Sequence, residues 1–218
     1  MIDWNAINTV FLDMDGTLLD LHYDNYFWLH HLPQRLADIR GESVDSCREL
    51  LQQMYSTHQG TLNWYCLDFW EQALQIDLMG LKREVADRVA YRPSVKAFLR
   101  SIHAHGLDVA IVTNAHYKSI EIKLERTDIG EQVDEIISSH DFGLPKEDER
   151  FWHQLQQRKP YDPETTAFFD DNEAVLRSAE RSGIRHLYSI AHPDSQQAQR
   201  LESEFVLIHD FKDIMPAS

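Results

Sequence analysis

Five short apolar runs, set among helical periodicities, constrain this 218-residue chain more than any other feature. They are TVFLD (Thr9–Asp13), DVAIVT (Asp108–Thr113), DEIISS (Asp134–Ser139), TTAFFD (Thr165–Asp170) and RHLYSI (Arg185–Ile190). Their length and β-forming content predict strands. From about Pro93 onward helical patterns separate them. One carries Val95, Phe98, Leu99 and Ile102 at i, i+3, i+4, i+7 spacing and closes on Gly106, a C-terminal stop. Others lie near Lys118–Thr127, Lys146–Arg158 and Asn172–Ser182. Alternating strands and helices predict an α/β fold, a Rossmann-like, doubly wound parallel sheet covered on both faces. At 43% hydrophobic and 26% charged residues, the composition supports such a core.

The stretch from Asp20 to Ala90 breaks this rhythm. It offers no strand pattern, and Val44, Cys47, Leu51 and Met54 form a helical stripe. It is also dense in aromatics, in YDNYFWLHH and LNWYCLDFW. A helical cap (20–90) inserted into a discontinuous core (1–19 and 91–218) accounts for the interruption. The tail FKDIMPAS reads as a short terminal helix or fray.

Charge narrows the partners. Asp and Glu number 36 against 21 Lys and Arg, a formal charge of −15, which repels nucleic-acid backbones. A small anionic substrate stays open, because local cations and a metal can reverse the field in one cleft. The two cysteines, Cys47 and Cys66, show no CxxC or Cys/His ligand spacing, so free thiols in a reducing compartment are expected. The twelve histidines form no HxxxH or HExxH pattern. No run approaches the roughly 20 apolar residues of a membrane span. A basic signal-type leader is missing, so the expected setting is the cytoplasm. Oligomeric state is not legible.

In an open parallel sheet, ligands bind at the carboxyl ends of the strands. Four features fall there in order: Asp13 with Asp15, Thr113 with Asn114, Lys146 in GLPKED, and Asp170 with Asp171 in FFDDN. Each has an ordinary reading alone. A DxDG can be a solvated turn, Thr-Asn a helix cap, a lone lysine a solvated charge, and Asp-Asp-Asn a cap complementing the helix dipole. A calcium loop fails on the offsets of its later ligands. Together, four carboxylates at one point require a cation, and oxygen-only ligands favour Mg²⁺ with a phosphate. The lysine and the threonine hydroxyl would hold other phosphoryl oxygens, which makes a phosphoryl-transfer site. No GxxxxGK[ST] or GxGxxG occurs.

DMDGT, VTNA, the isolated Lys146 and FFDDN resemble the four motifs of the haloacid dehalogenase superfamily of phosphohydrolases. The resemblance implies that Asp13 is the nucleophile, forming an aspartyl-phosphate, and Asp15 the general acid and then base. It implies Mg²⁺ on Asp13, the Asp15 carbonyl and an acid of the last motif, with Asp171 the direct ligand and Asp170 one step behind. Thr113, Asn114 and Lys146 would bind the phosphoryl group. An acid at Asp15 sets the chain apart from dehalogenases, which need no proton there, and from transport ATPases with DKTGT; phosphatase and phosphomutase remain. LLDLHYDNYFW, TLNWYCLDFW, VTNAH and FGLPKED are further similar to the bacterial GMP/IMP 5′-nucleotidase branch. That implies a purine nucleoside 5′-monophosphate substrate, with Asn25, Asn63 and His116 expected at its rim. Tyr26, Trp64 and Tyr65, interleaved with Asn25 and Asp68, would stack the base, or else form helical core. A phosphatase of another small metabolite, such as a sugar phosphate or phosphoglycolate, and a non-catalytic phosphate-binding module stay as alternatives.

Overall fold

The computed structural model describes residues 2–216. All five expected strands form: β1 Thr9–Leu12, β2 Asp108–Thr113, β3 Glu135–Ser138, β4 Thr166–Asp170 and β5 His186–Ile190. A sixth, β6 Val206–Ile208, was not expected; it is three residues long, and Val206 on this sheet edge is 62% exposed. The sheet is wholly parallel in the order β3-β2-β1-β4-β5-β6. Chain progression reverses direction at β1, so a crevice opens at the carboxyl end of β1, between β2 and β4.

Strand pleating sorts the core into two layers. Val10 and Leu12 of β1 join Val109, Ile111 and Phe169 on one face, packed by helix Val95–Ala104 and the 3₁₀ turn Phe211–Ile214. Phe11 joins Ala110, Val112 and Phe168 on the other, under helices Glu149–Arg158 and Glu173–Arg181. Helices thus cover both faces, which is why β1 is buried at every residue. Two expectations shift here. The helix expected from Lys146 begins at Glu149, because Asp148 caps it by accepting from the Arg150 amide, and Lys146 stays in the preceding loop. The tail forms the 3₁₀ turn Phe211–Ile214, while Ala217 and Ser218 lie outside the described residues.

Between Leu19 and Tyr91 the described elements are all helical. They are α1 His22–Tyr26, α2 Leu32–Arg40, α3 Val44–His58, α4 Leu62–Tyr65, α5 Leu67–Leu74 and α6 Leu78–Glu84, with a π turn at Phe27–His31 and a 3₁₀ turn at Ala86–Arg88. They enclose their own apolar cluster, with Phe27, Leu36, Cys47, Leu51 and Trp70 buried. The entering and leaving chains run side by side: Asp20 N donates to Ala90 O (2.9 Å) and Arg92 N to Leu18 O (3.0 Å). Helix α8, Tyr117–Arg126, follows β2 and serves both parts: Ile120 packs in the sheet core and Ile122 in the helical cluster. The three helices already described complete the set as α7 Val95–Ala104, α9 Glu149–Arg158 and α10 Glu173–Arg181.

Candidate active site

Asp13 leaves β1 still tied to β4, its amide donating to Phe169 O at 2.9 Å. The chain then turns sharply: Leu18 and Leu19 amides both donate to Met14 O, and Gly16 N donates to Leu19 O. Met14 points into the core and is fully buried, while Asp13 on its other side is 6% exposed. Gly16 holds φ +83°, and a Cβ there would sit 2.7 Å from the Asp171 Cγ. Glycine is therefore required twice, for the turn and for the close approach of the last acidic motif.

Lys146 links three of the motifs. Its fully buried Nζ donates to Asp13 Oδ1 (2.5 Å), Asp170 Oδ2 (2.7 Å) and Val112 O (2.9 Å), using all three protons. Asn114 fixes the loop that carries it: Asn114 Oδ1 accepts from Lys146 N (2.9 Å), and Asn114 Nδ2 donates to Glu147 Oε2 (2.9 Å). Thr113 is buried, its Oγ1 accepting from the Ala115 amide at 3.0 Å. Asp170 is satisfied on both oxygens, the second accepting from Asn172 N at 2.8 Å. Among the described residues the Asp171 carboxylate has no such bond; Arg200 binds its backbone carbonyl instead.

The electrostatics are those of crowded, buried acids. Burial, then Asp170 and Asp15, push the Asp13 carboxyl up to about 7 against the opposing pull of Lys146. Burial chiefly raises Asp170 to about 6 and Asp171 to about 7, the latter helped by Asp13. Burial also raises Asp15, against Lys123. For Lys146, burial works against the charge, but Asp13 and Asp170 outweigh it and hold the ammonium well above its ordinary range.

A second buried chain of charges runs from Asp15 into the helical segment. Lys123 Nζ on α8 contacts Asp15 Oδ2 (2.5 Å) and Asp24 Oδ2 (3.1 Å), and Lys82 Nζ on α6 contacts Asp24 Oδ1 (2.7 Å). Burial would raise the Asp24 carboxyl, but Lys123 and Lys82 hold it down at about 2. Lys82 is 1% exposed and lies over the Phe27 and Tyr23 rings, 4.6 and 4.8 Å from their centroids. Nothing in the sequence pattern pointed to Lys82, Lys123 or Asp24. A lysine between Ile122 and Leu124 looks like any solvated helical charge until the fold supplies its partners.

A cavity of about 280 Å³ joins these groups to the aromatics. Asp13, Thr113, Lys146 and Asp171 line it together with Trp28, Tyr55, Trp64 and Tyr65. Tyr55 packs edge-on against Trp64 (5.4 Å), Trp70 (5.5 Å) and Trp28 (6.0 Å). Of the rim residues expected from sequence, Asn25 lines the cavity and donates to Asp194 Oδ2 at 2.7 Å. Asn63 is exposed and outside the lining. His116 is buried, outside the lining, and caps α8. Tyr26 also stands away from the lining, with Arg88 stacked 3.7 Å over its ring. Tyr65 and Glu147 form a bridge the sequence did not announce, Tyr65 OH donating to Glu147 Oε1 at 2.6 Å.

Residues 7–183 match the haloacid dehalogenase-like hydrolase family. The chain is 38% identical over 216 residues to the GMP/IMP nucleotidase YrfG of Escherichia coli (strain K12), covering 99% of this chain and 97% of that protein. It is 25% identical over 203 residues to the (S)-2-haloacid dehalogenase 4A of Burkholderia cepacia, covering 84% and 82% of the two. A haloacid dehalogenase-type phosphatase from Thermococcus onnurineus shares the fold, with 17% identity, 95% of each chain covered and a TM-score of 0.77. The motif order, the sheet topology and the near full-length relative agree, and the chain belongs to the haloacid dehalogenase-like hydrolases.

Proposed function

We propose that this phosphohydrolase cleaves purine nucleoside 5′-monophosphates, GMP and IMP, to nucleoside and phosphate, with residues 20–90 acting as its specificity cap. The observation that carries this reading is the single cavity lined by both the Asp13–Lys146 acid-base cluster and the aromatic wall. Its 280 Å³ lies near the small end of the roughly 300–1,000 Å³ typical of small-molecule sites. Trp28, Tyr55, Trp64 and Tyr65 offer π-faces to a planar base, each stacked base being worth about 1–3 kcal/mol. The relative named as a GMP/IMP nucleotidase supports the 6-oxopurine preference.

In this reading Asp13 attacks phosphorus through the carboxylate oxygen not held by Lys146. The P–O bond to the nucleoside breaks, and the leaving oxygen takes a proton from Asp15. Asp15 Oδ1 is suited to hold that proton, because it is buried without a hydrogen-bond partner while Lys123 engages Oδ2. Water then attacks the aspartyl-phosphate, Asp15 takes the proton back, and phosphate leaves. Thr113 and Lys146 orient the phosphoryl oxygens. Tyr65, from the cap, closes over the Glu147 and Asn114 pair and excludes water.

The donor set fits Mg²⁺. Carboxylate oxygens of Asp13, Asp170 and Asp171 lie within 4.8 Å of one another. Five carboxylates line the cavity, Asp13, Asp15, Asp24, Asp170 and Asp171, and their ion-pair partners are three lysines. A cluster of carboxylates that outnumbers its lysine partners, with hard oxygen ligands throughout, suits a divalent cation. Asp13, Asp171 and the Asp15 carbonyl would hold it, with Asp170 one step behind, since Lys146 and Asn172 occupy its oxygens. Bound there, the ion neutralises charge on the phosphoryl oxygens.

Phosphate release with Mg²⁺ across GMP, IMP, AMP, pyrimidine monophosphates, sugar phosphates and phosphoglycolate tests the assignment. GMP and IMP should lead in kcat/KM; a sugar phosphate preferred over every purine nucleotide overturns the substrate reading. Asp13→Asn should abolish turnover with the fold intact, and near-wild-type phosphate release by that variant refutes the nucleophile.

A further inference from the structure

Away from the acid cluster, three soft or borderline ligands converge where the helical segment meets the sheet. Cys66 links α4 to α5, His116 follows β2, and His140 lies in the 3₁₀ turn Ser139–Asp141 after β3. One ligand atom from each lies within 4.8 Å of the others. The two imidazole rings are edge-on at 4.9 Å. His140 Nε2 is buried and has no hydrogen-bond partner among the described residues, which is costly for a polar atom unless a ligand takes it. His116 Nδ1 accepts a long bond from the Lys118 amide (3.4 Å), so its Nε2 carries the ring proton and faces Asp68 Oδ2 at 3.5 Å; ligation through Nε2 moves that proton to Nδ1 and gives up the long bond. The Cys66 sulfur sits at the N-terminal end of α5, accepting from Phe69 N at 3.5 Å.

From this geometry we propose that Cys66, His116, His140 and Asp68 form a second metal site, of zinc type, that clamps the cap to the core. A thiolate, two imidazoles and a carboxylate are ligands of borderline-soft divalent ions, unlike the all-oxygen set at Asp13. Tetrahedral bonds of about 2.0–2.3 Å place ligand atoms roughly 3.3–3.8 Å apart, so side-chain movements of about an ångström close Cys66, His116 and His140 on an ion, and Asp68, which neighbours His116 alone, turns in to complete the set. Both histidines are held neutral. Burial lowers His116 below its ordinary value, and burial together with the neighbouring His116 takes His140 down to about 4. Asp68 can turn to the metal without leaving a cation stranded, because Lys118 keeps Glu71 at 2.5 Å.

Two ligands come from the helical segment and two from the sheet side, so the ion ties the parts together. The same seam carries the Lys118 pairs to Asp68 and Glu71 and the Tyr65–Glu147 hydrogen bond. If the cap must open to release product, a bound zinc-type ion slows turnover. That consequence rests on the phosphatase reading; the site itself does not.

The test uses the full chain with saturating Mg²⁺ and Co²⁺ as a spectroscopic probe. One equivalent should produce a thiolate-to-cobalt charge-transfer band and the intense visible bands of a four-coordinate site. Cys66→Ser and His140→Ala should each lose the band and weaken Co²⁺ binding at least tenfold. Cys47→Ser should keep it, since Cys47 is buried in the helical cluster beside Glu42. Absence of the band in the wild-type protein, or its persistence in either variant, overturns the site. Zn²⁺ at one equivalent should slow GMP hydrolysis in the wild type, and His140→Ala should require at least tenfold more. Zn²⁺ that binds without slowing turnover overturns the clamp. A chain that binds cobalt as described yet hydrolyses no phosphate ester refutes the phosphatase reading alone.

Discussion

At the scale of single residues, Gly16 carries two constraints that no other residue type meets. Its φ of +83° costs an L-residue about 1–2 kcal/mol, and a Cβ would sit 2.7 Å from Asp171 Cγ. Gly16→Ala should therefore lower stability by about 1–2 kcal/mol in denaturant melts. It should also displace the Asp171 carboxylate and weaken Mg²⁺ binding in a titration; unchanged Mg²⁺ affinity would show that Asp171 is not a direct ligand. Lys123 has a different role. Its ammonium is 1% exposed between Asp15 and Asp24, so Lys123→Met leaves Asp15 without its ion-pair partner and Asp24 with Lys82 alone. Breaking a buried pair this way costs about 3–5 kcal/mol, and urea unfolding at pH 7 should show a loss of that size. These two residues mark what the sequence could and could not announce. Asp13, Asp15 and Asp170–Asp171 stand at strand ends in a readable order, with Lys146 in the loop beyond β3. Lys123 and Lys82 act through partners far away in sequence, Asp15 being 108 positions from Lys123.

At the scale of elements, the aromatic-rich helices divide their rings between two tasks. Trp70 on α5 is 1% exposed and packs edge-on against Tyr55, Phe69 and His58, with its indole N–H donating to Trp64 O at 3.0 Å. Trp28, Trp64 and Trp70 all reach the cavity wall, but only Trp28 and Trp64 keep partial exposure there. Trp70→Ala should cost about 3–5 kcal/mol and lower the thermal midpoint sharply. Trp64→Ala should cost less stability and raise KM for GMP more than it lowers kcat. If both variants lose only stability, the aromatic wall is packing alone. Sequence periodicity located these helices but not this division, because a ring at helical spacing looks the same whether it faces core or cavity. The same limit explains β6: Val206–Ile208 is too short for a period, and its pairing with β5 is purely tertiary. It explains the late start of α9 as well. Glu147 and Asp148 look like helix formers, yet the Asp148 cap and the bond from Lys146 N to Asn114 hold the loop open.

At the scale of the whole molecule, the buried acids tie stability to pH, and a metal held by them would be tied to it as well. Asp13, Asp170 and Asp171 have ordinary values of 3.8 and stand in the folded chain at about 7, 6 and 7. A carboxyl whose pKa rises on folding takes up protons on folding. Its contribution to stability is therefore greatest below about 4 and lost as pH climbs to about 7. His140 pulls the other way. Its folded value of about 4 lies below the ordinary 6.5, so its contribution is present above about 6.5 and lost as pH falls toward 4. The two trends oppose each other in the metal-free melting temperature, which is a poor readout for either. The difference between melts with and without Mg²⁺ cancels the His140 contribution and isolates the acids, because the ion binds only after their protons leave. The Mg²⁺ increment in melting temperature should grow steadily from pH 5.5 to 7.5. Over that range Mg²⁺ affinity should strengthen by about 25-fold if one proton is displaced from a group at about 7, and by several hundredfold if two are. Asp171→Asn should flatten the increment at every pH. An increment in the wild-type chain that does not change with pH would mean that the ion is held by groups already charged, and that Asp13 and Asp171 are not its ligands.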